Sequence, residues 1–164
     1  HAYGKLWAIS AISVDHALAR PAARAAARRD AISIVVIDDD PVLRNLYART
    51  IATWSTPVRV ELAENAYRGL VLIGSASPDI VVVDLRLPRV DGFQLIRALD
   101  EMIPRDQMTI VAASGVSDLE FDMYGGLPPH IELLGKPIDF ARLKDIAESV
   151  WQSLSPHQRP ASRL

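Results

Sequence analysis

Residues 34–41 read IVVIDDDP: four apolar residues, three aspartates and a proline. A continuous apolar run is typical of a strand that is buried on both faces of a parallel sheet. Aspartate is a favoured helix N-cap and proline is best tolerated at the first helical position, so Asp40 and Pro41 predict that a helix begins here. The stretch therefore predicts a buried strand, an acidic turn and a helix in succession.

The same succession of strand and helix occurs five times between Ala31 and Leu154. We predict strands at residues 32–37, 58–62, 80–83, 109–113 and 131–134, and helices at residues 41–54, 65–73, 93–99, 117–124 and 140–154. Five such units with right-handed crossovers predict an α/β protein with a doubly wound five-stranded parallel sheet. We expect the strand order 2-1-3-4-5 in a flavodoxin-like (βα)5 three-layer sandwich. The alternating residues 58–62 indicate a strand near an edge of the sheet.

The composition excludes several classes of protein. The 164 residues include no cysteine, which excludes a disulfide scaffold, a thiolate zinc site, an iron–sulfur cluster and a cysteine nucleophile. The net charge of −2 argues against direct binding of nucleic acid through a basic surface. No apolar run approaches the ~18–20 residues that cross a bilayer, so we expect no membrane partner.

Charge is unevenly distributed along the chain. Residues 1–30 carry a net charge of +3, and the remaining residues carry −5. We expect residues 1–30 to be a basic, Ala/Arg-rich extension that is disordered or forms a short helix docking on an acidic surface or on a second copy of the chain. We expect residues 31–154 to form one domain and residues 155–164 to form a tail too short for an output domain.

Acidic residues follow two of the predicted strands. Asp38 and Asp39 end the first strand, and Asp84 ends the third. In open α/β sheets, ligands bind beyond the carboxyl ends of the strands at the point where the strand order reverses. Clustered carboxylates repel one another and need a cation. Oxygen ligands without nearby histidine or cysteine indicate Mg²⁺.

Two further polar residues end the fourth and fifth strands. Ser114 precedes Gly115, and Lys136 precedes Pro137. A hydroxyl and an ammonium at this edge of the sheet suit an incoming phosphoryl group, because one donates a hydrogen bond and the other offsets negative charge. A carboxylate shielded by a metal ion can form an aspartyl phosphate.

These segments together resemble a known family. The matching sequences are IVVIDDDP at 34–41, PDIVVVDLRLPRVDG at 78–92, SG at 114–115 and KP at 136–137. In this order, each at a predicted strand end, they resemble the chemotaxis-regulator-like receiver domain of bacterial two-component response regulators. The resemblance extends over residues 31–154.

The resemblance implies a magnesium site. Asp84 would be the phosphoacceptor, and Asp38 and Asp39 would bind Mg²⁺ directly or through water, together with Asp84. The backbone carbonyl of Arg86 would be a further ligand. Gly92 would help to shape the loop after Asp84 and to start the third helix.

The resemblance also implies the reaction and its partners. Ser114 would be the switch hydroxyl, Lys136 would sense the phosphoryl group, and the Lys136–Pro137 peptide would be cis. The phosphoryl donor would be a phosphohistidine of a sensor histidine kinase or a histidine phosphotransfer protein. The domain would be a cytoplasmic signalling module rather than an enzyme, and would act on a downstream protein that the sequence does not identify. Homodimerisation is left open.

One residue departs from the family pattern, and two alternatives remain. Many receivers have an aromatic residue three positions before the lysine, where this chain has Leu133, so we expect output through the face of the fourth helix and fifth strand without an aromatic switch. One alternative is a degenerate receiver that acts as a docking module. The other is a metal-dependent phosphohydrolase, but haloacid-dehalogenase-like enzymes need an acid two residues after the nucleophile, where Arg86 stands.

Overall fold

The computed structural model describes residues 30–154, so the predicted extension before Asp30 and the predicted tail at 155–164 lie outside the described residues. The main sheet contains the strands β1 (Ile32–Ile37), β2 (Val58–Ala63), β3 (Ile80–Asp84), β4 (Thr109–Ser114) and β5 (Glu132–Gly135). The helices are α1 (Pro41–Ile51), α2 (Ala66–Ala76), α3 (Gly92–Met102), α4 (Asp118–Met123) and α5 (Phe140–Ser153).

The order of the strands in the sheet is β2-β1-β3-β4-β5, and all four pairings are parallel. This confirms the predicted α/β class and the doubly wound sheet. Strand β2 lies at an edge, as its alternating sequence predicts. After β1 the chain forms β2 at one edge of the sheet, and then crosses to form β3 on the other side of β1. The carboxyl ends of β1 and β3 therefore flank the point where the strand order reverses.

Two apolar layers separate the sheet from the helices. Alternate residues of the central strands point to opposite faces, so Val35 and Ile37 join one core whereas Ile34 and Val36 join the other. Helices α2 and α3 contribute to the first core, and α1 and α5 contribute to the second. The result is the three-layer sandwich expected from strands that are apolar on both faces.

Side chains that cap the helices fix where α1 and α3 begin. The carboxylate of Asp40 accepts a hydrogen bond from the Val42 amide at 2.8 Å, and that of Asp91 accepts one from the Phe93 amide at 2.9 Å. Each satisfies an amide that has no partner within its helix. The observed α1 ends at Ile51, three residues before the predicted end, and a short turn follows it.

A short hairpin that the sequence did not predict follows β3. Residues Arg86–Leu87 pair with Val90–Asp91 in antiparallel orientation. Gly92 then packs directly on the strand end, because a Cβ atom there would lie 2.6 Å from the Asp84 carbonyl oxygen and 2.6 Å from the Leu85 Cα. The hairpin and this close approach together hold the loop after Asp84 against the sheet.

Among the helices of residues 30–154, none is long and apolar enough to cross a membrane.

Candidate functional site

Three acidic side chains meet at the carboxyl ends of β1 and β3. Asp38 and Asp39 follow β1 directly, and Asp84 is the last residue of β3. One carboxylate oxygen from each residue lies within 4.8 Å of the others, with Asp38 and Asp84 buried and Asp39 exposed. The structure thus brings together the three aspartates that the sequence proposed as metal ligands.

Both the backbone and the side chain of Asp38 are held by hydrogen bonds, and its amide donates to the Ala63 carbonyl at 3.1 Å. Its Oδ1 accepts a hydrogen bond from the Asp40 amide at 2.9 Å, and its carbonyl oxygen accepts one from Nη1 of Arg44 at 2.8 Å. A side chain one turn into α1 reaches back to the strand end, a contact that spacing along the chain does not reveal.

Lys136 lies between the two buried carboxylates. Its Nζ atom is 3.0 Å from Asp38 Oδ2 and 2.9 Å from Asp84 Oδ2. The Lys136 side chain is 27% exposed, whereas the side chains of the two aspartates are 2% and 4% exposed. The ammonium therefore offsets two negative charges that water scarcely reaches. The Lys136–Pro137 peptide bond is cis, as the resemblance implied.

Burial and charge pairing act in opposite directions on the pKa values of this cluster. Burial raises the pKa of Asp84 above its usual value, although hydrogen bonds from the Arg86 amide and from Lys136 oppose the shift. Burial lowers the pKa of Lys136, but its hydrogen bonds to Asp84 and Asp38 outweigh that effect and the net shift is upward. The ionised form of Asp84 thus remains costly despite its contact with Lys136, and a divalent cation would relieve that cost.

The donor set fits Mg²⁺. Three carboxylates offer hard oxygen ligands close together, and the exposed Asp39 leaves one side of the cluster open to the water molecules that Mg²⁺ retains. The Arg86 amide donates to Asp84 Oδ1 at 2.9 Å, so the chain turns sharply here. The proposed backbone ligand, the Arg86 carbonyl, therefore belongs to the segment that directly follows Asp84.

Ser114 ends β4 at the same edge of the sheet. Its Oγ accepts a hydrogen bond from the Val116 amide at 2.9 Å, which leaves the hydroxyl proton available for donation. Its carbonyl accepts a hydrogen bond from the Lys136 amide at 2.8 Å. In the sheet, Asp84 pairs with Ala113 and Ser114 pairs with Gly135, so the hydroxyl and the lysine both follow from the register.

Two residues border the site, although the sequence interpretation did not place them there. Tyr47 of α1 is fully buried, and its hydroxyl has no hydrogen-bond partner among the described residues. Burial, with the charges of Asp38 and Asp84, raises the pKa of Tyr47 above its usual value. On the other side, Glu120 of α4 forms an ion pair with Arg86 at 2.6 Å. The sequence did carry a signal for the position of Glu120, because Ser117 and Glu120 have the spacing of a capping box.

An open cavity of about 530 Å³ lies between the acidic cluster and α4. Asp39, Arg86 and Glu120 contribute to its wall, and its apolar side includes Phe93 and Val116. Leu133, which stands where many receivers have an aromatic ring, lies on β5 and is 45% exposed. The site thus has an open approach on the side of α4.

Comparison with known proteins identifies the family. The sequence matches the family model for the response regulator receiver domain over residues 34–148. An uncharacterized response regulatory protein of Vibrio cholerae is 29% identical over 131 residues, which cover 79% of this chain and 49% of that protein. The positive alginate biosynthesis regulatory protein of Pseudomonas aeruginosa is 30% identical over 128 residues, which cover 77% of this chain and 49% of that protein. The chain spans about half the length of these two curated relatives.

Solved structures of receiver domains share the fold of this chain. A response regulator receiver protein of Sinorhizobium medicae superimposes with a TM-score of 0.61 and 27% identity, covering 76% of this chain and 98% of that one. The signal receiver domain of a DNA-binding response regulator of Colwellia psychrerythraea gives a TM-score of 0.63 at 20% identity, covering 74% and 99%, which supports the fold alone. Because the family match extends from β1 into α5 and includes every strand end that contributes to the acidic cluster, the chain belongs to the response regulator receiver domain family, a family of signalling domains.

Proposed function

We propose that residues 31–154 form a phosphoacceptor domain that receives a phosphoryl group on Asp84 in a Mg²⁺-dependent reaction. The donor is a phosphohistidine of a sensor histidine kinase or of a histidine phosphotransfer protein. The observation that carries the proposal is the pairing of Asp84 with Lys136 within the cluster formed with Asp38 and Asp39. Burial of an acid beside two further acids costs free energy, and the turn at Arg86 alone does not require it.

The residues have distinct roles in the proposed reaction. An oxygen of Asp84 attacks the phosphorus atom as the P–N bond of the donor breaks. The electron pair of that bond stays on the departing imidazole, which becomes neutral by taking up a proton from water. Lys136 stabilises the negative charge on the transferred group, and the Ser114 hydroxyl donates a hydrogen bond to one of its oxygens.

Asp38, Asp39, Asp84 and the Arg86 carbonyl would hold Mg²⁺, which when bound neutralises charge between the carboxylate and the approaching phosphoryl group. Asp38 is oriented for this by its contacts with the Asp40 amide and with Arg44. Positioning and electrostatics thus provide the catalysis, without a general acid or base in the cluster.

The proposal makes the domain a switch rather than an enzyme that turns over a separate substrate. Phosphorylation would change its contacts with a downstream protein, through the face formed by α4 and β5 and without an aromatic ring at Leu133. A cytoplasmic location and the absence of nucleic-acid and membrane partners are part of the same proposal, and homodimerisation is left open. They follow from the family resemblance and the composition.

Labelling with acetyl phosphate and Mg²⁺, followed by intact-mass measurement, tests the proposal. We expect the native chain to gain the mass of one phosphoryl group and Asp84→Asn to gain none. Asp106→Asn, which removes an exposed acid in a loop remote from the cluster, is the control and should be labelled like the native chain. Equal labelling of Asp84→Asn would refute the assignment. A native chain that neither binds Mg²⁺ nor becomes labelled would favour the docking module instead.

A further inference from the structure

Helix α4 has little packing of its own. It contains six residues, and none of them is buried. Its C-terminal end is held by α3: the rings of Phe93 and Tyr124 stack at 4.9 Å, and Nη1 of Arg97 donates to the carbonyls of Tyr124 and Gly126 at 3.1 and 2.9 Å. An element with so few buried contacts opens at low free energy. Within α4, the partly buried ring of Phe121 packs edge-on against Phe93 at 5.5 Å. The N-terminal end of α4 is held instead by polar contacts.

One carboxylate organises that N-terminal end. Oε2 of Glu120 accepts hydrogen bonds from the Ser117 amide at 3.0 Å and from the Ser117 hydroxyl at 3.1 Å. The Ser117 Oγ in turn accepts one from the Glu120 amide at 3.3 Å, which completes a capping box. Oε1 of the same carboxylate forms the ion pair with Nη2 of Arg86. Glu120 thus joins the start of α4 to the loop after β3.

Arg86 belongs to the phosphoacceptor loop. It follows Asp84 by two residues, and its amide donates to Asp84 Oδ1. Its side chain is 60% exposed, and the residue lines the same open cavity as Asp39 and Glu120. A phosphoryl group on Asp84 would therefore bring new negative charge close to a cation that has room to turn.

We propose that a phosphoryl group on Asp84 competes with Glu120 for the Arg86 guanidinium, and that loss of this ion pair releases the N-terminal end of α4. Arginine donates to phosphate and carboxylate oxygens alike, and a guanidinium that turns toward Asp84 moves away from Glu120. Repulsion between the phosphoryl group and Glu120 acts in the same direction. The inference deepens the proposed function and rests on it, because it names the contact through which the acceptor site is linked to α4.

Thermodynamic linkage gives a measurable consequence. If Glu120 competes with the group on Asp84 for Arg86, then removing the charge of Glu120 must strengthen binding of a phosphoryl mimic. The side chains of the ion pair are exposed, Arg86 at 60% and Glu120 at 42%. Exposed ion pairs contribute little free energy, so we expect a modest coupling. We expect Glu120→Gln to bind beryllofluoride about two- to five-fold more tightly in the presence of Mg²⁺. Glutamine can still complete the capping box, so the substitution removes the charge and keeps the cap.

A double-mutant cycle separates this effect from a general change of charge. Beryllofluoride affinity is measured by fluorine NMR for the native chain, Glu120→Gln, Arg86→Ala and the double variant. We expect the gain from Glu120→Gln to disappear when Arg86 is alanine. Asp122→Asn, which removes an exposed acid from the same helix, is the matched control and should change the affinity less than Glu120→Gln does.

Hydrogen exchange provides a structural readout on the same samples. The Phe121 amide donates to the Ser117 carbonyl at 2.9 Å in the first turn of α4. We expect saturating beryllofluoride to accelerate its exchange about three-fold or more in the native chain and to have less effect in Arg86→Ala, where the ion pair is already absent.

Two results would overturn the inference while leaving the proposed function intact. These are an equal gain in affinity for Glu120→Gln and Asp122→Asn, and an unchanged Phe121 exchange rate when beryllofluoride is bound. If the native chain binds no beryllofluoride with Mg²⁺ present, the proposed function and this inference both fail.

Discussion

Replacing Lys136 by methionine tests how the acidic cluster is stabilised. Methionine keeps most of the apolar stem of the side chain and removes its charge. The substitution leaves Asp38 and Asp84 facing each other without the ammonium that is now within 3.0 Å of both. Removing one partner from a buried ion pair typically costs 3–5 kcal/mol, roughly, because a charge then remains buried without compensation.

We expect a smaller loss of stability at this site than for a fully buried ion pair. The Lys136 side chain is 27% exposed, and Asp39 keeps one side of the cluster open to water. We therefore expect Lys136→Met to lower the free energy of unfolding by about 2–4 kcal/mol at pH 7 without divalent cations. With an m-value of about 2 kcal/mol/M, the urea midpoint falls by about 1–2 M. Lys144→Met is the control, because Lys144 forms an exposed i,i+4 pair with Glu148 and should cost under about 0.5 kcal/mol.

The dependence of the loss on pH identifies its cause. The pKa of Lys136 is raised, so its contribution is complete below the ordinary value of 10.5 and is lost only as the pH rises through the folded value. Toward acid pH Asp84 takes up a proton, and it begins to do so above its ordinary value of 3.8 because its pKa is raised. The difference between the native chain and Lys136→Met should therefore shrink as the pH falls toward 3. Equal losses at neutral and acid pH, or no loss at pH 7, would refute this reasoning.

Three further predictions concern the acceptor loop and the core. Because the pKa of Asp84 is raised, the stability linked to its protonation is complete below 3.8 and is lost as the pH rises through the folded value. Asp84→Asn should therefore raise the urea midpoint at pH 7 without Mg²⁺. This gain should vanish at pH values below 3.8, where Asp84 is protonated in both the folded and the unfolded chain. Gly92→Ala should lower stability by about 1–3 kcal/mol and slow acetyl phosphate labelling, because the new Cβ meets the Asp84 carbonyl and the Leu85 backbone; a native labelling rate would contradict this. Phe93→Ala should cost about 3–5 kcal/mol in urea unfolding, because its ring is 1% exposed and packs on Tyr124; a loss below 1 kcal/mol would contradict that estimate.

The sequence predicted what local chemistry and strand periodicity determine. The apolar run that ends at Ile37 predicted the buried strand β1, and the N-cap residue Asp40 predicted the start of α1. Acids at strand ends predicted the cluster because parallel strands place their carboxyl ends at one edge of the sheet. The lysine and hydroxyl positions followed in the same way from the ends of β4 and β5.

Contacts between distant side chains could not be predicted in this way. Arg44 reaches the Asp38 carbonyl, and Arg86 reaches Glu120 across 34 positions of the chain. Neither has a periodic signature, because each depends on how a helix is seated on the sheet. The two-residue strands of the hairpin after Asp84 are likewise too short to give alternation. Leu133 departs from the family pattern, but the identity of this residue alone does not predict which contact changes on phosphorylation.

The most direct test of the account locates the phosphoryl group on the chain. The native protein is labelled with acetyl phosphate and Mg²⁺, reduced with borohydride, which converts an aspartyl phosphate to homoserine, and analysed by tandem mass spectrometry. The account predicts homoserine at position 84 alone, and none when a chelator removes Mg²⁺. Homoserine at Asp38 or Asp39 in place of Asp84, or labelling that persists without the cation, would contradict it.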